Sequence, residues 1–142
     1  MTIYFKKQLK QNLLAIISVA IAISALAYNS WRNELSEENR NYRAAGFEIM
    51  REAAHLQYLI DSTTYASDKK KEDPINGWVK VNLIVSLSKL MMPEILLSAE
   101  NLKKSWSDNW SSLDEGEIAN QLITKANEDL VAKVRNHLLA LH

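Results

Sequence analysis

The sequence predicts an all-α chain, an N-terminal transmembrane helix that continues into an antiparallel bundle of about four helices. Three observations predict it. Glycine and proline number only 3 and 2 in 142 residues, too few for all-β or glycine-loop architectures. Apolar residues recur at three- and four-residue spacing through most of the chain beyond residue 28. One uncharged apolar run, residues 13–27, follows directly on Lys6, Lys7 and Lys10.

That run is interrupted only by Ser18 and Ser24. Basic residues ahead of an apolar stretch mark a membrane anchor or a secretory signal. Ala25-Leu26-Ala27 offers a cleavage pattern of the A-x-A kind, so cleavage after Ala27 is the alternative reading. The anchor is preferred because no glycine or proline breaks residues 1–45, and because Tyr4, Phe5, Tyr28 and Trp31 flank the run as interfacial aromatics do. At a rise of ~1.5 Å per residue the strict run spans about 22 Å, short of a hydrocarbon core of about 30 Å. Asn12, Tyr28 and a snorkelling Lys10 extend it, and a bilayer thins locally. Residues 1–28 are therefore expected to be the anchor, touching lipid through 13–28, and residues 29–142 the exported helical-bundle domain.

Orientation follows from charge. Residues 1–10 hold three lysines and no acid, whereas residues 29–38 hold one cation, Arg32. The positive-inside bias places the N-terminus in the cytoplasm and the bundle in the periplasm, at a bacterial inner membrane. All 17 acidic residues follow the run, against 14 lysines and arginines there. The mildly acidic exported part offers no basic face for nucleic acid. The absence of cysteine excludes disulfides, zinc–thiolate sites and thiol nucleophiles.

The first exported helix is expected over 29–66. Tyr28, Leu35, Tyr42, Ile49, Leu56 and Thr63 recur every seven residues, with Trp31, Ala45, Leu59 and Ala66 three later. A seven-residue stripe keeps one face towards a partner helix, in a coiled coil or a bundle. Glu38 and Glu52 interrupt it, which favours a bundle. The polar stretch 34–43 reads as a solvated stalk, its charges three and four apart. Residues 67–73 form a charged break. Asp73 is a plausible N-cap with Pro74 in the first turn; alternatively Gly77 ends a turn and the helix starts at Trp78. Trp78, Val81, Val85 and Met92 fit a helical face, while Val79 to Leu83 alternate as a strand would. A lone strand has no partner here, so a helix is chosen. Pro93 restarts the helix. Ile95, Ala99, Leu102, Trp106, Trp110 and Leu113 then form the next apolar stripe. Ser112 and Glu115 read as a capping box opening the last helix. Ile118, Leu122, Ala126, Leu130, Val134, Leu138 and Leu141 are expected to face inward.

Chemistry is sparse. Glu52 and His55, three apart, resemble half of a di-iron ligand set, but no second pair accompanies them, so no metal or cofactor is expected. His55, His137 and His142 lie near no nucleophile motif, and adjacent acids such as Glu37-Glu38 splay apart on a helix. No catalytic residues are assigned. Trp106 and Trp110 read first as core, in phase with Leu102 and Leu113. If exposed, they and Met92 would form an apolar contact patch.

Residues 28–34, Tyr-Asn-Ser-Trp-Arg-Asn-Glu, with Glu37, Glu38, Asn39 and Arg40, resemble uncharacterised bacterial single-pass inner-membrane proteins with an exported helical domain. The resemblance covers the anchor and first helix, and implies no catalytic residue. The helical domain is also similar to chemoreceptor-type sensor bundles, which lie between two spans, although only one such run reads here.

The expected function is a non-enzymatic, membrane-tethered interaction or scaffold module. Its partner would be another membrane or periplasmic protein or a second copy. Trp106, Trp110 and Met92, or the stripe Leu35, Tyr42 and Ile49, are the candidate contacts. A small-ligand sensor or carrier bundle is the alternative, and a metal-binding helical protein a remote one.

Overall fold

A computed structural model describes residues 12–66, 73 and 75–141. Lys6, Lys7, Lys10, Tyr4, Phe5, the Lys69-Lys70-Lys71 run, Pro74 and His142 lie outside the described residues. The elements are α1 (Leu13–Tyr65), α2 (Ile75–Ser88), α3 (Pro93–Asn109), a 3-10 turn (Trp110–Ser112) and α4 (Glu117–Ala140). No strand occurs among the described residues, so the helical reading of the ambiguous Val79 to Leu83 stretch holds.

The chain separates into two compact units, Met1–Glu38 and Asn39–His142. Residues 29–38 thus group with the apolar run in the first unit. In the first unit every described residue is exposed. Among the described residues one helix, α1, is long and apolar enough to cross a membrane, and its most apolar 18 residues bury nothing. The two interrupting hydroxyls satisfy themselves. Ser18 Oγ donates to the Leu14 carbonyl at 2.9 Å and Ser24 Oγ to that of Ala20 at 2.8 Å. With both hydroxyls paired within the helix, entering hydrocarbon would carry no penalty for an unpaired polar group there.

In the second unit the helices pack antiparallel. Tyr42 meets His137, the Asn127 amide bonds the Ala53 carbonyl, Gln57 bonds Thr124 and Asn120 bonds Asp61, so α4 numbers fall as α1 numbers rise. Ser98 with Asp129 and Ser105 with the Leu122 carbonyl set the same sense for α3 and α4. Gly77 and Trp78 against Trp106 bring the start of α2 to the end of α3. The core holds Ile49, Leu56, Leu59 and Ile60 of α1, Val81 and Ile84 of α2, Ile95, Leu102 and Trp106 of α3, and Ile123, Leu130 and Val134 of α4, with Leu113 beside them.

Local signals explain the boundaries. Ser62, Thr63 and Thr64 turn their hydroxyls back onto the carbonyls of Leu59, Leu59 and Ile60, the competition with backbone bonding that weakens a helix where α1 stops. The Asp73 carboxylate accepts the Ile75 amide at 2.9 Å, so Asp73 does cap α2 and the later start at Trp78 is not used. Met92 is extended, as a residue before proline prefers, and Pro93 opens α3.

Two expectations fail. Ser112 and Glu115 form no capping box: Ser112 ends the 3-10 turn, and α4 opens at Glu117 with Gly116 at its N-cap and no side-chain cap bond. The inward face of α4 holds at Leu130 and Val134, which are buried, and at Ala126 and Leu138, which pack against the core, but it fails at the helix start. Ile118 is 76% exposed and Leu122 is exposed, whereas Ala119, Asn120, Ile123 and Asn127 are buried in their place. Both faces carry an i, i+4 apolar pattern, and the polar residues of α1 decide between them.

Candidate functional site

Along the α1–α4 interface the packing turns polar on one side. Asn127 is 4% exposed. Its Nδ2 donates to the Ala53 carbonyl at 2.9 Å and to Gln57 Oε1 at 3.3 Å. Gln57 Nε2 donates to Thr124 Oγ1 at 2.8 Å and to Asp61 Oδ1 at 3.1 Å. Asn120 Nδ2 reaches the same Asp61 oxygen at 3.0 Å and Thr64 Oγ1 at 3.3 Å. Thr124 Oγ1 donates to Asn120 Oδ1 at 3.2 Å. This seam holds one register, because a shift of either helix would strand several buried polar groups. Asn127 Oδ1 remains buried without a hydrogen-bond partner.

Beside the seam lies an open groove of about 780 Å³. Ala53, Ala54 and Ala132 line it with small side chains, and Met50 and Val131 add apolar surface. Gln57, Asp61, Thr124, Asn127, Glu128 and Arg135 supply the polar lining. From Met50 to Asp61 the groove follows about three turns of α1, or ~16 Å. Small residues let a third backbone come close, and the groove has the dimensions of a short helix or an extended small molecule. The sequence reading missed it because alanines and polar residues spread over two distant segments carry no motif. Asn120 and Asn127, seven apart on the same face as Ile123, Leu130 and Val134, are the one signal that could have found it.

Trp106 is fully buried and Trp110 half-buried. Trp78 sits edge-on to both, with ring centroids 6.5 Å from Trp106 and 6.4 Å from Trp110. The core reading therefore holds for Trp106, which is withdrawn as a contact residue. Ile49 is withdrawn for the same reason, since it is fully buried in the bundle. Tyr42 is half-buried, its ring edge-on to His137 with centroids 5.3 Å apart. Met92 and Leu35 are exposed.

Glu52 is buried against α2, with Lys80 Nζ at 3.5 Å, His55 Nδ1 at 3.6 Å and Arg51 Nε at 3.8 Å. Among the described residues no group of three or more His, Cys, Asp and Glu could hold a metal ion. Ser98, itself buried, donates to Asp129 Oδ2 at 2.6 Å, and Lys133 Nζ reaches that oxygen at 2.8 Å. The Lys133 hydrogen bond first, and that of Ser98 second, hold the Asp129 carboxyl below its ordinary range. A buried serine already donating to a carboxylate is a structural tie between α3 and α4, with no base free to take its proton.

Comparison with protein-family models, with curated proteins and with solved structures gave no match.

Proposed function

We propose that the protein is a non-enzymatic, membrane-tethered interaction module, whose bundle receives a helix of another membrane or periplasmic protein in the α1–α4 groove. The groove carries this reading. It is lined by Ala53, Ala54 and Ala132, whose small side chains favour close helix approach, and it runs about three turns along two helices. Glu128 and Asp61 towards one end and Arg135 at the other favour a partner helix with the opposite order of charge. The exposed apolar start of α1 supports tethering. With residues 1–28 as anchor and the N-terminus cytoplasmic, the bundle stands in the periplasm, and tethering raises its effective concentration at membrane complexes.

The test is site-specific photocrosslinking of the full chain in native membranes. Probes at Ala54 and Ala132 should give one discrete adduct that a probe at exposed Asn101 does not, and Ala132→Arg should abolish it while the helical spectrum is retained. Groove probes that yield no adduct beyond the monomer would sink the proposal. A small-ligand carrier is the second reading, favoured by a groove volume within the range of ligand sites. A ligand that raises the melting temperature and displaces the crosslink would support it.

A further inference from the structure

We propose that one end of the bundle docks on the headgroup surface of an anionic bilayer. The antiparallel register fixes which residues share that end. Tyr42 against His137, and Arg43 Nη2 bonded to the Leu141 carbonyl at 3.1 Å, bring the C-terminal turn of α4 beside the first bundle turns of α1. The α3–α4 pairing of Ser98 with Asp129 and of Ser105 with Leu122 places the α2–α3 turn at the same end.

This end is both apolar and cationic. Leu90 is 65% exposed, Met92 is 42% exposed and Leu139 is 76% exposed. Arg43, Lys89 and Arg135 are exposed around them, and Glu94 is the exposed acid of the α3 first turn. Among the described residues the opposite end has the reverse sign: Asp73, Asp108, Asp114, Glu115 and Glu117 are exposed, and Lys104 is paired with Asp108. Exposed leucine and methionine beside arginine and lysine is the composition of a lipid-facing surface, in which apolar tips enter the interface and cations meet lipid phosphates. The chain order supplies the bilayer. On the tethering reading, on which this inference rests, residues 29–38 link anchor and bundle, and ten residues reach at most about 35 Å. The bundle cannot leave the surface its basic end fits.

The full chain, free of native cysteine, provides the test. Single cysteines at Leu90 or Leu139, and at Ile118 on the acidic end, carry a fluorophore after reconstitution into vesicles containing headgroup-spin-labelled lipid. One vesicle set contains phosphatidylglycerol and the other is purely phosphatidylcholine. Quenching is expected at Leu90 and Leu139 but not at Ile118, and only where phosphatidylglycerol is present. Arg43→Gln and Lys89→Gln should each lower the docked-to-free ratio roughly fivefold. Equal quenching at both ends, quenching indifferent to lipid charge, or none in anionic vesicles overturns the proposal. A protein that fails to co-float with the vesicles instead removes the tethering reading itself.

Discussion

Gly77 lies against the indole of Trp106. A Cβ at residue 77 would fall 2.8 Å from Trp106 Cε2, and closer still to Cζ2 and Cη2. The absent side chain on α2 is what lets the largest side chain of α3 reach full burial.

Gly77→Ala should therefore destabilise the bundle although alanine is the better helix former. The propensity gain of about 1 kcal/mol is outweighed by overpacking of about 1–3 kcal/mol against a rigid ring. Trp106→Phe shrinks that ring and removes an indole N–H that has no partner. The double variant should lose clearly less than the sum of the singles in urea unfolding, and strict additivity would show that the two residues do not clash.

The α4 register can be tested by truncation. Ile123→Ala and Leu130→Ala, both at fully buried positions, should each cost about 2–5 kcal/mol. Ile118→Ser and Leu122→Ser should stay within about 0.5 kcal/mol. A large loss at Ile118 or Leu122 would restore the inward face expected from hydropathy alone.

Asn127→Ala strands Gln57 Oε1 at the α1–α4 seam and should cost about 1–3 kcal/mol. Asn127→Asp cannot donate to the Ala53 carbonyl or to Gln57, and should be worse at neutral pH than in acid. Melting curves of the two variants at pH 7 and pH 4 decide this. Equal losses at both pH values for Asn127→Asp would mean that the carboxylate finds solvent.

The Asp129 carboxyl titrates below its ordinary value of 3.8 in the folded chain because Lys133 and Ser98 bond its charged form. Its stabilisation is complete above the unfolded pKa and is lost as pH falls through the folded one. Asp129→Asn should thus be less stable than the parent at pH 7, by no more than about 1 kcal/mol because the pair is half-exposed and screened. The gap should narrow as pH falls below 3.8 and close once the folded-state carboxyl is itself protonated. A gap that persists unchanged into that acid range would contradict the linkage.

How much could be read in advance differs by element. Helix starts at Pro93 and behind Asp73 were legible, because ring geometry and a side-chain acceptor act within two or three residues. The start of α4 was not. Ser112 and Glu115 have capping-box spacing, yet the 3-10 turn keeps Ser112 and Gly116 takes the N-cap. Trp106 and Trp110 share one stripe, but only Trp106 faces Gly77. Ile49 belongs to a heptad stripe that suits a dimer seam equally well, and its own bundle covers it. The groove was invisible to pattern, since its lining joins Ala53 and Ala54 to Ala132 across most of the bundle sequence.

The sequence by itself determined that the chain is helical, where its first apolar helix lies and which residues begin α2 and α3. Those properties depend on backbone sterics, hydrogen bonding and hydropathy within a few residues. Only the tertiary structure decided which face of α4 turns inward, which tryptophan is buried and where a groove opens. Each of these depends on what the opposing helix presents. Asn120 and Asn127 outcompete Ile118 and Leu122 for the interior because Gln57, Asp61 and Thr64 on α1 can satisfy their amides.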